Sequence, residues 1–290
     1  MSTSSPVQEP PAATLSAASL HDFPGTLVLV GAGKMGGALL EGWLRLGLEP
    51  ARIAVIEPQP SREVAGLTAR GLKLNPAINR AREPNALVIA VKPQNAAEIM
   101  PWLAQMGGTA TVVLSIMAGK TLDFLAQALP PGTAIVRSMP NLPAAIGRGI
   151  TVAVANERVT PAQRALAHKL LVATGAVEWV DDESLLDAVT AVSGSGPAYV
   201  FLLAESLAKA GAAAGLPPDL AARLARATVA GSGELMQRSP LDPASLRESV
   251  TSPGGTTAAA LGVLMSEERL DQLMRDAVAA AARRSGELAD

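Results

Sequence analysis

The chain has 290 residues, 49% hydrophobic and 17% charged, enough for about two domains with packed cores and too apolar for wholesale disorder. A formal net charge of −2 argues against general binding to nucleic acid or anionic membranes. With no cysteine and only His21 and His168, disulfides, thiolate nucleophiles and cysteine- or histidine-rich metal centres are excluded, and the chemistry falls to a cofactor, backbone groups, or hydroxyl, carboxylate and amine side chains.

Residues 1–24 carry no Lys or Arg and are rich in Ser, Pro and Ala. They read as a loose tail before a cytoplasmic domain, with neither the basic start of a secretory signal nor the arginines of a mitochondrial leader. Apolar runs are short or broken by Gly, Pro or charge, so no membrane span of ~20 residues is expected. From Thr26 to about Val180, β-type runs alternate with helical stretches: Leu27–Val30, Ile53–Ile56, Leu87–Val91, Thr111–Leu114, Thr133–Val136, Thr151–Val154 and Ala176–Val180. Each is continuously apolar, as parallel strands covered on both faces are, and the alternation predicts an α/β doubly wound sheet over 25–180. Thr160-Pro161-Ala162-Gln163 is a capping box that starts a helix. Beyond Asp181 the chain turns alanine-rich. Helices are predicted over 198–214, 219–236, 243–250, 257–265 and 267–284, with Leu216-Pro217-Pro218 and Arg238-Ser239-Pro240 as breaks and Asp242 as an N-cap. So much alanine with so little charge over 181–290 fits a bundle or, preferably, a dimerisation unit.

Gly31-Ala32-Gly33-Lys34-Met35-Gly36 stands between the first strand and the first helix. Gly31 permits the tight turn, Gly33 the approach of a pyrophosphate, Gly36 close helix–strand packing, and the helix N-terminus offers free N–H groups. Glu57 ends the second strand 21 residues after Gly36. An acid there accepts from ribose hydroxyls and repels a 2′-phosphate, which leans the cofactor towards NADH over NADPH. Arg62 points the other way if it reaches a phosphate, and is otherwise a helix-surface charge.

Further motifs follow in order: Ala90-Val91-Lys92-Pro93-Gln94 and Ser115-Ile116-Met117-Ala118-Gly119 after strands, Arg137-Ser138-Met139-Pro140-Asn141-Leu142-Pro143, then Ser193-Gly194-Ser195-Gly196-Pro197-Ala198-Tyr199 at a helix entry, and Val250-Thr251-Ser252-Pro253-Gly254-Gly255-Thr256-Thr257. In this order and spacing, from about Leu27 to Leu288, the chain resembles pyrroline-5-carboxylate reductases, most specifically in Ser-Pro-Gly-Gly-Thr-Thr. The resemblance implies a Rossmann-type domain followed by an all-helical domain, an interwoven homodimer or a ring of dimers, and NAD(P)H-dependent reduction of a cyclic imine to L-proline. It implies that Gly31, Ala32, Gly33, Lys34 and Met35 hold the pyrophosphate. Ala90, Val91, Lys92 and Pro93, with Ile116, Met117 and Ala118, line the dinucleotide. Ser252, Gly254, Gly255, Thr256 and Thr257 hold the substrate. Departures from the pattern are Lys34 for an amide residue and Met117 for a small one; Asn75 and Asn79 both stand near the place of an asparagine that meets the adenosine ribose.

The residues suit that chemistry. Two glycines before a helix leave amides exposed for one carboxylate, or form a bare helix cap. Hydride transfer to an imine carbon asks for orientation and a hydrogen bond to the ring nitrogen. Thr257 is expected to donate that bond while the Gly255 and Thr256 amides hold the carboxylate, in a site between the two domains and completed across a dimer. Lys92, Arg137 and Asn141 read either as ligand contacts or as solvated and turn-fixing residues, and Ser193–Pro197 reads as a helix entry needing close packing. Two competing readings are a Rossmann dehydrogenase of hydroxy acids, for which Lys209 is the candidate acid–base residue, and a non-catalytic dinucleotide-binding or vitamin-B6-type regulator.

Overall fold

The computed structural model describes residues 19–77 and 83–288. The chain divides into two compact units, Met1–Asp181 and Asp182–Asp290. In the first, the described elements run β1 (Leu27–Val30), α1 (Lys34–Arg45), β2 (Ile53–Ile56), α2 (Arg62–Gly66), β3 (Lys73–Leu74), β4 (Ala86–Ile89), α3 (Ala96–Leu103), β5 (Val112–Ser115), α4 (Leu122–Ala128), β6 (Ala134–Met139), β7 (Gly149–Ala155), α5 (Pro161–Leu171) and β8 (Gly175–Trp179). The strands form one sheet in the order β3-β2-β1-β4-β5-β6-β7-β8, which reverses direction of growth between β1 and β4.

The central strands lack polar alternation because both faces are covered. Leu27, Leu29, Val55, Val88 and Leu114 face a core shared with Leu39 and Trp43 of α1 and Leu170 of α5. Val28, Val30, Leu87, Ile89 and Val113 face a second core with Met100 of α3 and Leu125 of α4. Each such side chain contributes about 1.5–3 kcal/mol by leaving water. The Trp43 indole, fully buried, donates to the Leu170 carbonyl at 2.8 Å.

Three expectations need correction. The strand at Thr151–Val154 pairs antiparallel with β6, not parallel. The link from Met139 to Gly149 is shorter than the dozen or so residues a crossover requires, so the chain can only turn back. That link is a 3₁₀ turn, Leu142–Ile146, ended by Gly147 at φ 70. Asn141 fixes it, accepting the Ile150 N–H at 3.0 Å. With α5 as crossover, β8 is parallel to β7 again. Secondly, Arg137 lies within the strand β6 and is buried, so it is neither a solvated residue nor part of the turn that follows. Thirdly, Ser19–Pro24 are anchored at two points rather than loose, although Ser19, His21, Asp22 and Pro24 are exposed. Leu20 and Phe23 are buried in the first core, and the Arg52 guanidinium donates to the Phe23 carbonyl at 2.7 Å. The rest of the expected tail, 1–18, and Asn79 lie outside the described residues. The short β3 was not foreseen.

In the second unit the elements are α6 (Leu185–Val189), a π-turn (Thr190–Gly194), α7 (Gly196–Ala213), α8 (Pro218–Arg238), α9 (Pro243–Ser249), α10 (Thr256–Leu264) and α11 (Arg269–Glu287). Helix α7 packs on α8, and α11 on α6 and the π-turn. The Ser285 hydroxyl donates to the Asp187 carboxylate at 2.7 Å, tying α11 to α6. Asp242 caps α9 through the Ser245 N–H. The stretch Leu185–Ala213 runs helical through its glycines and Pro197, and by length and composition it is long and apolar enough to cross a membrane, which the sequence reading did not expect. Only small residues, Ala221 and Ala225, are buried in α8, and none in α7. Val200, Phe201, Leu202 and Leu203 of α7 and Val263 and Leu264 of α10 stay exposed. A helix apolar all round demands a second surface to cover it.

Candidate active site

The first unit gathers its predicted ligand-facing residues along the carboxyl edge of the sheet. Val30, Ile56, Ile89 and Ser115 stand side by side at the ends of β1, β2, β4 and β5. The ladder continues one residue further, with the Gly31 N–H on the Ile56 carbonyl (2.9 Å), Ala90 N–H on Val30 (2.7 Å) and Ile116 N–H on Ile89 (3.0 Å). The glycine turn, Glu57, Ala90–Pro93 and Ile116–Ala118 therefore emerge together, at the place where open α/β sheets bind ligands.

The glycines are needed for three separate reasons. Gly31 has φ +90, and a Cβ there would meet the Ala90 carbonyl oxygen at 2.6 Å. A Cβ on Gly36 would lie 2.1 Å from the Gly31 carbonyl oxygen, so this residue sets how closely α1 approaches the turn. A Cβ on Gly33 would meet nothing within 4 Å; its bareness leaves backbone open from outside. The first bonded amide of α1 is Gly37, to the Gly33 carbonyl at 2.7 Å. The N–H groups of Lys34, Met35 and Gly36 thus have no acceptor within the helix and face its open end. These features fit a pyrophosphate.

Beside the turn lies a cleft of about 570 Å³ lined by Ala32, Gly33, Lys34, Glu57, Gln59 and Glu63, among others. Glu57 is rigidly held. Its carboxylate accepts the Ala32 N–H at 2.9 Å and the Gln59 N–H at 3.0 Å. Its main chain exchanges two bonds with the Asn75 side chain, at 2.8 and 3.0 Å. Asn75, in left-handed conformation at φ 47, spends both ends of its amide in this way, a clamp that sequence reasoning did not find. The Ser61 hydroxyl beside Glu63 holds that carboxyl below the ordinary carboxylate range. Lys34 and Arg62 are exposed at the starts of α1 and α2. Lys92 is exposed, whereas the Met117 side chain is buried in the second core, with its N–H on the Ser115 hydroxyl at 3.3 Å. Met117 therefore cannot present its side chain to a ligand, because it is the side of the loop that plugs the sheet.

In the second unit, Ser252-Pro253-Gly254-Gly255 is a tight turn entering α10. Gly254 is left-handed at φ +69, and a Cβ on Gly255 would stand 2.5 Å from the Ser252 hydroxyl. The Gly255 N–H is donated to the Ser252 carbonyl at 3.0 Å, so it is not available to an anion, contrary to the expectation above. The first bonded amide of α10 is Ala259, to the Gly255 carbonyl at 3.1 Å. That leaves the amides of Thr256, Thr257 and Ala258 as the open donors, with the two threonine hydroxyls beside them. No Lys or Arg lies between Glu248 and Glu267. An amide-only site of this kind suits one carboxylate. Among the described residues no cluster of acidic or histidine side chains could hold a metal.

Comparison with known proteins agrees with both halves. Residues 183–288 match the model described as pyrroline-5-carboxylate reductase dimerisation, and residues 26–119 match NADP oxidoreductase coenzyme F420-dependent. A pyrroline-5-carboxylate reductase of Synechocystis sp. is 41% identical over 267 residues, covering 90% of this chain and 97% of the relative. The pea enzyme of that name, from Pisum sativum, is 38% identical, covering 91% and 96%. Among solved structures, a pyrroline-5-carboxylate reductase from Coxiella burnetii superposes with a TM-score of 0.85 at 32% identity, covering 92% of this chain and 99% of that one. The pyrroline carboxylate reductase of Plasmodium falciparum with NADP bound superposes with a TM-score of 0.76 at 27% identity, covering 91% and 98%.

Proposed function

The chain belongs to the pyrroline-5-carboxylate reductase family, and from that premise we infer that it reduces 1-pyrroline-5-carboxylate to L-proline, the last step of proline synthesis, with NADH or NADPH. The observation that carries the residue assignment is the trio of open amides at the start of α10. The Thr256, Thr257 and Ala258 N–H groups hold the substrate carboxylate, and the Thr257 hydroxyl donates to the ring nitrogen. Ser252 and Gly254 support this by shaping the turn, and Gly255 by leaving room for the Ser252 hydroxyl. In the first unit, the amides of Lys34, Met35 and Gly36, with the bare backbone of Gly31, Ala32 and Gly33, receive the pyrophosphate. Glu57 faces the adenosine ribose. Ala90–Pro93 and Ile116–Ala118 line the dinucleotide, Met117 through its backbone alone.

The nicotinamide ring supplies the hydride, which is why a chain without cysteine can perform the reduction. The protein's part is orientation: a fixed carboxylate and a hydrogen-bonded nitrogen present one ring carbon to be reduced. The acidic pair Glu57 and Glu63 in the cleft supports a lean towards NADH, since a carboxylate fixed by two peptide N–H groups repels a 2′-phosphate while retaining lone pairs for ribose hydroxyls.

Residues 25–180 act as the dinucleotide domain and 181–290 as the substrate and dimerisation domain of a homodimer, or of a ring of dimers, in the cytoplasm. The exposed apolar surface of α7 and α10 supports a second copy as its cover, and the net charge of −2 supports a role without nucleic acid or membrane. The hydroxy-acid alternative is weakened by Lys209, which stands on the outside of α7 with Glu205 at 3.9 Å and 78% of its side chain exposed.

The test is purified protein with pyrroline-5-carboxylate and each cofactor in turn. Loss of reduced-nicotinamide absorbance matched by proline is expected, with the higher kcat/KM for NADH. Retained absorbance without proline contradicts the reading and favours a non-catalytic dinucleotide binder.

A further inference from the structure

The π-turn Thr190–Gly194 has a closed set of backbone bonds that no catalytic role uses. The Ser195 N–H reaches back to the Thr190 carbonyl at 2.8 Å, one residue further than in an α-helix. The carbonyl that an α-helix would give to Ser195 is that of Ala191. It is accepting instead from the phenol of Tyr199, at 3.0 Å. Tyr199 is the one tyrosine of the chain. Within the same turn the Ser193 hydroxyl is buried without a hydrogen-bond partner, alone in this among the side-chain polar atoms of the described residues. A buried hydroxyl left unpaired is costly, so the turn gains from a bond outside it that holds its register, and the Tyr199 phenol on the Ala191 carbonyl is such a bond. Nor is the entry glycine explained by packing inside the chain, since a Cβ on Gly196 would meet nothing within 4 Å.

We propose that Tyr199 is a positioning residue that locks this turn in π register, and that the register exists to shape the face on which a second copy of the chain docks. One extra residue in a turn rotates what precedes it by about 100° around the helix axis relative to an unbroken α-helix. The residue whose direction this decides is Val192, 61% exposed. Val200 and Phe201, 46% and 55% exposed, continue the apolar face along α7. All three lie in the segment that matches the dimerisation model, so the face is continuous with the surface where a copy of this chain is expected. The latch therefore acts on association and rests on the homodimer reading above.

The experiment is sedimentation of the full-length protein and its Tyr199→Phe variant over a dilution series. Phenylalanine keeps the ring and removes only the bond to Ala191. The expected result is a wild-type dimer and a variant whose dimer dissociation constant is raised at least fivefold. Val192→Ser, a change at an exposed position outside the chain's own core, is expected to weaken the dimer similarly, and it serves if Tyr199→Phe does not fold. A wild-type monomer would overturn the homodimer reading. A wild-type dimer with Tyr199→Phe or Val192→Ser dimers just as tight would overturn the latch alone.

Discussion

Glu57 shows how one side chain carries two duties. Its two oxygens take peptide N–H groups from Ala32 and Gln59, which fixes the glycine turn and the end of β2 relative to each other. The same anchoring holds its charge at one place in the cleft. Glu57→Gln keeps one acceptor for the Ala32 amide and removes the charge. The ratio of kcat/KM for NADPH over NADH is expected to rise roughly two- to fivefold, the scale of one exposed charge contact. An unchanged ratio would mean that the acid does not discriminate. The place of Glu57 just past the end of β2 was legible from its spacing to the glycines, but its hold on Ala32 was not. Asn75 was noticed only, with Asn79, as standing near the place of an asparagine that meets the adenosine ribose. Its clamp on Glu57 spans strands that meet through the fold, and no local pattern announces it. The inward turn of the Met117 side chain was hidden for a related reason: a sequence names the loop residue, while only the packed sheet decides which loop side chain turns inward.

At the scale of elements, the glycine turn and its helix are separable in their tolerance. Gly36→Ala forces a methyl group to within 2.1 Å of the Gly31 carbonyl oxygen, so α1 must move. A loss of about 1–3 kcal/mol of stability is expected in denaturant melts. Gly33→Ala has open space, so its melting should stay near wild type while dinucleotide affinity falls; equal melting of the two variants would contradict this division. Helix α9 offers a pH-dependent test. The Ser245 N–H donated to Asp242 holds that carboxyl below its ordinary value of 3.8. A depressed carboxylate stabilises the fold at higher pH, and the contribution is lost as pH falls through its folded value. Asp242→Ala should therefore lower the melting temperature at pH 7 and make much less difference near pH 2; an equal effect at both would remove the charge from the account. Caps such as Asp242 and the Thr160–Gln163 box were legible because their chemistry is local. The reversal of β7 was not read, although the shortness of the Met139-to-Gly149 link already demanded it. The π-turn lay beyond reach, since Gly194, Gly196 and Pro197 look like a break and continue as helix only in the assembled bundle.

On the scale of the whole molecule, the chain pairs a sheet covered on both faces with helices that cover little of themselves. The change of composition near residue 180 made both halves legible, and the exposed faces of α7 and α10 give that change its physical meaning. The account as a whole rests on how α10 begins. In the proposed site its open amides receive the carboxylate, and the Thr257 hydroxyl donates to the ring nitrogen. The most direct measurement is steady-state kcat/KM for pyrroline-5-carboxylate in Thr257→Ala. The account predicts a fall of about tenfold or more, since one positioned donor contributes ~10²–10⁴, with the KM for the dinucleotide unchanged. A variant that reduces the imine at the wild-type rate would contradict it.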